Sequence, residues 1–274
     1  MYTSSNPYRP IRTEVLATLE ETPSIRTLRL KPEEQISFET GQFVELTVPG
    51  AGEAPFTPSS EPSVKDVLEV SVMRVGKVTE RIHALRAGDT VGLRGPFGSG
   101  YPVDEFVGKE LLVVGGGCGF APLRSLMYEL FRRSREFKKL LFRGGCKTPK
   151  DFLYREQIQK WRERDDLDIE LTVDEADGDW QGKIGVVTTI LDDLDMEPQT
   201  GVAVVCGPPV MMRFATMKLV ELGFKKNTIY LSMEKNMSCG IGKCGHCRIG
   251  VYYTCSDGPV FRYDRIGECA NLWD

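Results

Sequence analysis

The sequence predicts a mixed fold with three parts: an N-terminal antiparallel β-barrel, an α/β domain with a parallel sheet, and a small C-terminal cysteine-rich lobe. Short β-rich runs between Pro- and Gly-rich turns fill roughly the first hundred residues and are typical of a small barrel. From about Lys109, strands and helices alternate, which indicates a parallel sheet with right-handed crossovers. Four of the eight cysteines then lie within residues 239–255.

Length and composition set the limits of this prediction. The 274 residues suffice for two ordinary domains and a small appendage, and we expect domain limits at 1–105, 106–232 and 233–274. The formal charge of −4 gives no basic bias, so no nucleic-acid partner is expected. No apolar run approaches the roughly 20 residues that span a bilayer. The N-terminus lacks the apolar core of a signal peptide, and the other cysteines are scattered. We therefore expect a cytoplasmic protein.

Five β-rich runs and one short helix support the barrel. The helix is predicted to begin near Thr79, where TERIHALRAGD has helical spacing, and to end at Gly88. Stretches such as PGAGEAPFTPSSEP are predicted as loops, because Pro and Gly favour turns. The predicted strands are residues 15–19, 25–30, 43–48, 68–75 and 90–93.

Five further strands and four helices support the α/β domain. One of these helices is expected to start at Pro149, capped by Thr148, and to run to about Arg162. The predicted strands are residues 111–114, 140–142, 169–173, 202–205 and 229–231, and the predicted helices are 121–133, 149–162, 186–194 and 209–222.

The cysteine array is C-x4-C-x2-C-x7-C, formed by Cys239, Cys244, Cys247 and Cys255. Its first three members have the spacing with which plant-type ferredoxins hold a [2Fe–2S] cluster, and a fourth thiolate follows later in the chain. Glycines between them allow backbone N–H groups to turn towards the sulfurs. The sequence therefore predicts a [2Fe–2S] site with these four ligands. Structural zinc stays the alternative, because four-thiolate zinc sites also use C-x2-C pairs.

A glycine-rich turn follows the first strand of the α/β domain in LLVVGGGCGFAPLRSL. Bare backbone N–H groups and a helix N-terminus at the end of a parallel strand favour a dinucleotide pyrophosphate. The turn is not G-x-G-x-x-G, and no acidic residue is evident about 20 positions on, so a purely structural turn is the alternative. A second strand ends at Cys206 and Gly207, and Cys206 either faces a ligand or is an inert core cysteine.

The barrel carries two segments that suit a flavin. In PFTPSS, Phe56 can stack on a flavin ring while the hydroxyls of Thr57 and Ser59 hydrogen-bond to it, although a plain loop is an equal alternative. In RVGKVT, a Gly-x-x-Thr at a helix start can hold a diphosphate. A nicotinamide delivers two electrons at once and a [2Fe–2S] cluster accepts one, so the chemistry requires a flavin between them.

With these motifs in view, the chain resembles the ferredoxin–NADP reductase superfamily. Within it, the chain is similar to the flavin and iron–sulfur gamma subunits of soluble NiFe hydrogenases (sulfhydrogenases), which are related to the electron-transfer subunits of dihydroorotate dehydrogenase and anaerobic sulfite reductase. The similarity covers nearly the whole chain. The motifs that carry it are GQFVELTVPGAGEAPF, RVGKVTERIHAL, GDTVGLRGPFGSGYPVDE, GGGCGFAPLRSL, CGPPVMM and CGIGKCGHC…CSDGPVFRYDRI.

The resemblance implies roles for individual residues. Phe56 and Thr57 would meet the isoalloxazine ring, and Cys206 with Gly207 would lie near the nicotinamide. Glu234 matches an acidic position close to the flavin, and we expect Cys206 and Glu234 to shape the reaction pocket. Ala54 stands where the superfamily usually has Arg, so the FAD diphosphate depends on other groups. The implied FAD-tail residues are Arg74, Gly76, Val78 and Thr79, and the implied NAD(P)H residues are Gly115, Gly116, Gly117, Gly119 and Pro122.

The function implied is that of an NAD(P)H:acceptor electron-transfer subunit, which passes electrons reversibly through FAD to the [2Fe–2S] cluster and on to a partner subunit. The expected partners are other chains of a redox complex, hydrogenase-like or reductase-like, with ferredoxin-type chains, and a NiFe hydrogenase is favoured. Alternatives are a sulfite reductase or heterodisulfide-reductase-type complex, or a non-catalytic scaffold that binds zinc and nucleotide. The choice between NADH and NADPH stays open, because Arg143 and Lys147 suit a 2′-phosphate or solvent equally.

Overall fold

Six strands of the N-terminal part form one antiparallel sheet in the computed structural model, which describes residues 6–274. The strands are β1 (Ile11–Thr22), β2 (Ile25–Pro32), β3 (Phe43–Val48), β4 (Gly52–Phe56), β5 (Leu68–Met73) and β6 (Thr90–Phe97), and the helix α1 (Lys77–His83) precedes β6. They lie in the order β4-β3-β6-β1-β2-β5. An antiparallel bridge joins Pro58, just after β4, to Val70 of β5, so the two edges meet and the sheet closes into the predicted barrel.

Strand β4 was not predicted from the sequence, because it lies in a stretch that was expected to be a loop. It pairs with β3 along its length, from Val48 opposite Gly52 to Val44 opposite Phe56. Pro55 suggested a turn, but a proline is tolerated where its missing N–H faces away from the ladder, as on an edge strand. The five predicted strands of the barrel are all present, and α1 ends at His83 rather than at Gly88.

Strand β3 presents different chemistry on its two faces. Its side chains alternate between faces, as in any strand, and Val44, Leu46 and Val48 point into the barrel core. Phe43 packs against residues of the cysteine segment on the opposite face. Glu45 shares that outer face by its register, and it is nevertheless fully buried. The outer face of the barrel is therefore covered at this point.

The remainder of the chain builds a second sheet. Its elements and those of the cysteine segment are β7 (Glu110–Gly116), α2 (Phe120–Arg132), β8 (Lys139–Cys146), α3 (Arg155–Arg162), β9 (Asp168–Val173), β10 (Lys183–Ile184), β11 (Val202–Cys206), α4 (Pro209–Glu221), β12 (Ile229–Ser232), β13 (Arg248–Ile249), β14 (Tyr252–Tyr253), α5 (Thr254–Asp257), β15 (Val260–Arg262) and α6 (Tyr263–Ile266). The sheet order is β10-β9-β8-β7-β11-β12-β15, and β10 to β12 are parallel. The chain first adds β8, β9 and β10 on one side of β7, and then β11 and β12 on its other side. The boundary between β7 and β11 is therefore a topological switch point.

Two helix predictions in this region are wrong, one of them only in its first half, because α3 covers residues 155–162 of the predicted 149–162. Thr148 precedes only a single 3₁₀ turn, Pro149–Asp151, and its N–H and Oγ1 donate to Asp151 Oδ2 at 2.9 and 2.7 Å. The chain then leaves the helical path at Phe152–Tyr154, with Tyr154 in the left-handed region at φ 55°, before α3 begins. All three of these residues are buried, and a continuous helix would turn some of them towards solvent.

The second wrong helix is residues 186–194, of which only the 3₁₀ turn Val187–Ile190 forms. In a 3₁₀ turn, residues three apart lie on the same side, so Val187 and Ile190 are both buried without a longer helix. The remaining helices and all five predicted strands of the α/β part are present, with β10 and β15 added at the edges.

The described residues fall into two compact units. One contains residues 6–101, 124–129 and 233–260, so the barrel and the cysteine segment share a unit; the other contains residues 102–123, 130–232 and 261–274. The limits 1–105, 106–232 and 233–274 stay a prediction, and residues 1–5 of the first of them lie outside the described part. None of the helices within residues 6–274 is both long and apolar enough to cross a membrane.

Candidate functional site

The four cysteines of the array lie together as two pairs. The Sγ atoms of Cys247 and Cys255 are 3.3 Å apart, and both residues are buried. Cys239 is also buried and is hydrogen-bonded to Cys244, which is exposed. Two pairs of thiols suit a two-iron cluster, in which each iron takes two protein sulfurs and shares two bridging sulfides.

Backbone N–H groups of the loop point at the cysteine sulfurs. The N–H of Lys243 donates to Cys239 Sγ at 3.3 Å, that of Ile241 donates to the same sulfur at 3.5 Å, and that of Gly242 donates to Cys255 Sγ at 3.1 Å. Gly242 has φ +72°, a conformation that side chains other than glycine rarely adopt. These bonds stabilise negative charge on sulfur, which is the form that binds iron.

The same hydrogen bonds affect the pKa values of the cysteines in the loop. Burial acts to raise the pKa of Cys239, but donors from the backbone outweigh it and lower that pKa to about 6. Burial and the adjacent Cys247 raise the pKa of Cys255 to about 12. Near neutral pH, Cys239 is therefore favoured as a thiolate.

The donor set of the loop fits a [2Fe–2S] cluster. Within residues 6–274, no group of three or more His, Cys, Asp or Glu side chains surrounds a single point where one metal ion would bind. A binuclear cluster needs only two thiolates at each iron, which is the pairing observed. The described residues that would hold it are Cys239, Cys244, Cys247 and Cys255.

Three charged residues beside this loop, two of them buried, were not predicted from the sequence. Arg94 Nε and Nη2 donate to the two carboxylate oxygens of Glu53 at 2.8 and 2.7 Å, and Arg94 Nη1 donates to the carbonyl oxygen of Cys239 at 3.3 Å. Glu45 is the register partner of Arg94 on β3, and neither of its carboxylate oxygens has a hydrogen-bond partner among the described residues. We call Glu45, Glu53 and Arg94 the buried charge cluster. A glutamate inside the apolar run FVELTV was the one signal of it.

The two carboxyl groups of the buried charge cluster are shifted in opposite directions. Burial raises the pKa of Glu45 to about 7, against the opposing charge of Arg94 and together with the like charge of Glu53. Burial also acts on Glu53, but its hydrogen bonds from Arg94 and Thr47 dominate, and they lower its pKa. Near neutral pH, Glu53 is therefore ionised and neutralises Arg94, while Glu45 is partly protonated.

The predicted FAD-tail residues form an open turn at the start of α1. Thr79 Oγ1 accepts hydrogen bonds from the N–H groups of Val75 and Gly76, each at 2.9 Å, and so fixes the turn. A Cβ added at Gly76 would meet no atom within 4 Å, so the backbone is accessible from that side. Arg74 is exposed beside it. The turn can thus receive a diphosphate, and this observation fits FAD.

The predicted flavin-ring residues differ in accessibility. Phe56 ends β4, packs partly against the barrel core and stays half-buried, as does Thr57. Ser59 is fully buried, and its N–H donates to the carbonyl oxygen of Glu69 at 2.7 Å. Phe56 and Thr57 therefore keep part of their surface accessible, whereas Ser59 joins its loop to β5.

The glycine-rich turn and the Cys206 strand end are neighbours, as the sequence predicts. Cys206 of β11 is in register with Gly115 of β7, at the carboxyl ends of the two strands of the switch point. A Cβ at Gly119 would collide with the carbonyl oxygen of Cys206. A Cβ at Gly207 would collide with Met211 and approach Gly116 O to 2.9 Å. The glycines thus let the two turns touch, and the crevice of the sheet opens there.

The remaining candidates are distributed over both units. Gly117 has φ +52°, and Pro122 is half-buried in the first turn of α2. Glu234 is exposed in the loop after β12 and belongs to the unit of the barrel, whereas Cys206 belongs to the other. Arg143 is neither solvated nor placed for a 2′-phosphate, because its side chain is 3% exposed and its Nη2 donates to Asp168 Oδ2 at 2.9 Å.

Three family models match successive parts of the chain. An oxidoreductase FAD-binding domain matches residues 15–101, and an oxidoreductase NAD-binding domain matches residues 113–217. The iron–sulfur cluster binding domain of dihydroorotate dehydrogenase B matches residues 234–267. The three matches fall on the barrel, the parallel sheet and the cysteine segment.

Known proteins are similar over nearly the full chain. Sulfhydrogenase 1 subunit gamma of Pyrococcus furiosus is 35% identical, with 100% of this chain and 98% of that protein aligned. A probable dihydroorotate dehydrogenase B (NAD(+)) electron transfer subunit of Methanocaldococcus jannaschii is 32% identical, over 94% of this chain and 91% of its own. The solved structure of an NADH-dependent reduced ferredoxin-NADP oxidoreductase has a TM-score of 0.75 at 24% identity, covering 94% of this chain and 92% of that one, and shares the fold.

The raised pKa of Glu45 predicts a pH-dependent loss of stability. The folded protein keeps this proton up to about pH 7, whereas the unfolded chain releases it near the ordinary value of 4.5. Raising the pH from 5 to 8 therefore costs at most about 3 kcal/mol of unfolding free energy at this group. Glu45→Gln removes that cost. The unfolding free energy of the variant, compared with that of the parent, should therefore be more favourable at pH 8 than at pH 5.

Urea unfolding of the parent and the variant at both pH values measures this gain. Glu33 is exposed in the same unit, so Glu33→Gln is the matched control and should show no comparable change. An equal difference between parent and Glu45→Gln at pH 5 and pH 8 would contradict the assigned protonation.

The contact at Gly119 predicts a specific steric effect. In Gly119→Ala the added methyl group meets the backbone carbonyl of Cys206, which cannot rotate away, so we expect a loss of about 2 kcal/mol in unfolding free energy. Gly178→Ala is the control in the same unit, because a Cβ there meets nothing within 4 Å. Similar denaturant midpoints for the two variants would show that the close approach is not required.

Proposed function

The chain belongs to the family of oxidoreductase electron-transfer subunits that join FAD-binding, NAD-binding and dihydroorotate-dehydrogenase-B-type iron–sulfur domains, and we propose that the residues above form one electron path within it. The protein is an NAD(P)H-dependent flavin and iron–sulfur oxidoreductase. It serves as an electron-transfer subunit of a larger redox complex. We propose cytoplasmic localisation and the domain limits 1–105, 106–232 and 233–274.

The observation that carries the proposed path is the cysteine loop, with its two thiol pairs and its N–H donors, in one chain with two dinucleotide-binding domains. When bound, NAD(P)H supplies two electrons as hydride, FAD accepts them together and releases them singly, and the [2Fe–2S] cluster carries one at a time. Cys244 is the exposed member of the array, so the loop meets solvent, and thus a partner, on that side.

The chain's own residues bind and orient these groups. We propose that Phe56 and Thr57 contact the flavin ring, and that the open turn from Arg74 through Gly76 and Val78 to Thr79 holds its diphosphate. Ala54 offers no charge, so Arg74 supplies the cation for that diphosphate. Ser59 supports this surface by holding its loop against β5.

In the α/β domain, the turn of Gly115, Gly116, Gly117 and Gly119 with Pro122 receives the pyrophosphate of NAD(P)H, in our proposal. Cys206 and Gly207 end the adjacent strand and border the same crevice. For Cys206 and for Glu234 we propose roles that involve no bond with substrate.

For the partner, we propose the catalytic chains of a NiFe hydrogenase, since two sulfhydrogenase gamma subunits of Pyrococcus furiosus are 35% and 34% identical to this chain. A dihydroorotate dehydrogenase is the second candidate, because six electron-transfer subunits described as probable parts of that enzyme are 30–33% identical. Affinity isolation of the native complex, with mass identification of the chains that accompany it, distinguishes these partners from a sulfite reductase or heterodisulfide-reductase-type assembly.

Purified anaerobically, the protein should contain FAD, iron and sulfide, and its visible absorbance should bleach when NADH or NADPH is added. A paramagnetic signal of a reduced [2Fe–2S] cluster should appear with the bleaching, because the flavin passes electrons to it singly. The measurements are the visible spectrum, electron paramagnetic resonance and elemental analysis. A folded sample that holds zinc and shows no NAD(P)H-dependent bleaching would instead support the scaffold alternative.

Replacement of Cys244 by Ser should separate the two halves of the path. Cys244 is exposed, so the change leaves the packing of the loop in place while it removes one of the thiolate ligands. We expect NAD(P)H to bleach the flavin as before, while the cluster signal and transfer to the partner are lost. Cys269→Ser changes a cysteine outside the array and is the control. Equal loss of flavin bleaching in a folded Cys244→Ser protein would refute this order of electron transfer.

A further inference from the structure

Arg94 connects the barrel to the cysteine loop. It lies on β6, and its side chain crosses the neighbouring strand β3 to reach Glu53 on β4, with two hydrogen bonds of 2.8 and 2.7 Å. A third bond, 3.3 Å long, runs from its Nη1 to the carbonyl oxygen of Cys239, and Nη1 also donates to the carbonyl oxygen of Pro7 at 3.0 Å. The side chain is 2% exposed, so the charge of the guanidinium is removed from water.

Two aromatic rings pack beside this charge. The guanidinium carbon of Arg94 lies 5.4 Å from the ring centroid of Phe97 and 5.9 Å from that of Tyr8. Phe97 packs in one apolar group with Phe43, Met237 and the three buried cysteines of the array. The guanidinium of Arg94 therefore packs against a ring, that of Phe97, which belongs to the same apolar group as three cysteines of the array.

Glu53 holds the guanidinium in this position. A bidentate Arg–carboxylate pair fixes the plane of the guanidinium as well as its location. Glu53 is 28% exposed, so the carboxylate is nearer to solvent than the cation it holds. Arg94 is the member of the buried charge cluster that hydrogen-bonds to the loop. Glu45 lies buried opposite Arg94, and with its pKa raised to about 7 it carries only part of a negative charge near neutral pH. Lys243 of the loop is exposed, and water screens its charge.

We propose that Arg94 is a positioning residue that anchors the Cys239 segment and sets the reduction potential of the [2Fe–2S] cluster, with Glu53 as the carboxylate that orients it. One-electron reduction adds a negative charge to the site. A desolvated cation nearby favours the reduced form, because charges interact more strongly where water is excluded. Net charge and hydrogen bonding are among the factors that set the potentials of such clusters. This inference rests on the cluster of the proposed function.

Substitutions of Arg94 and of Glu53 should shift the reduction potential of the cluster in opposite directions. Arg94→Met removes the cation and leaves Glu53 uncompensated, so the cluster should become harder to reduce. Glu53→Gln removes the counter-charge and leaves the cation, so the cluster should become easier to reduce. Arg94→Lys keeps the charge without the bidentate geometry, and its potential should lie closer to the parent than that of Arg94→Met. Simple disruption of the loop would move all variants in the same direction or release iron.

The experiment is a redox titration of the anaerobic, cofactor-loaded protein, in which the paramagnetic signal of the cluster is measured. The flavin potential in the same sample is the internal reference, and iron content is the second readout. At the midpoint of the parent, we expect the ratio of reduced to oxidised cluster to fall about tenfold in Arg94→Met, which corresponds to a shift of about 59 mV for one electron. In Glu53→Gln the ratio should rise. Arg12→Met breaks an exposed pair with Glu33 in the same unit and should change nothing.

The outcomes separate this inference from the proposed function. A parent protein without a [2Fe–2S] signal would overturn both. A normal parent with unchanged midpoints in Arg94→Met and Glu53→Gln, or with shifts of the same sign, would overturn the role of Arg94 alone. If Arg94→Met fails to retain iron, the upward shift in Glu53→Gln and the near-parent value in Arg94→Lys decide the question.

Discussion

Hydrogen bonds from backbone N–H groups to cysteine sulfurs are the interaction on which the C-terminal lobe depends. Three buried cysteines would leave polarisable, partly negative sulfurs in an apolar environment, which is costly unless donors face them. The loop supplies those donors from consecutive residues at 241–243, and glycines such as Gly242 allow the required backbone. Arg94 adds a bond to the carbonyl of Cys239 and so extends the same compensation to the backbone that carries the sulfur.

The nucleotide side of the molecule uses glycine for a different purpose. At the ends of β7 and β11, the absence of a Cβ at Gly119 and Gly207 allows two turns to touch. Glycines at such a strand end also let the backbone approach a pyrophosphate closely. The barrel uses an open turn at Gly76 in the same way. In that turn, Thr79 Oγ1 accepts hydrogen bonds from the N–H groups of Val75 and Gly76, and Arg74 is an exposed cation beside it.

The regular elements were predictable where the pattern was long. Phe43–Val48 and Val202–Cys206 are apolar β-rich runs, and each forms a strand as expected. Local sequence signals gave wrong predictions where the burial of side chains determined the path of the backbone. Thr148 and Pro149 are a valid helix start, yet the helix breaks after one turn because Phe152, Leu153 and Tyr154 are all buried. Pro55 suggests a loop, yet an edge strand accepts it.

The sequence alone determined the chemistry: the spacing of Cys239, Cys244, Cys247 and Cys255, the glycine-rich turn at Gly115–Gly119, and the requirement for a flavin between two-electron and one-electron carriers. Spacing and residue type are local properties of the chain, so they can be read from the sequence without a structure. Only the tertiary structure decided which charges lie beside the cysteine loop. Glu45, Glu53 and Arg94 come from three strands of the barrel and meet through register and strand order, which link residues up to 49 positions apart. No periodicity in the chain encodes that meeting, because it depends on how the sheet closes and what covers its outer face.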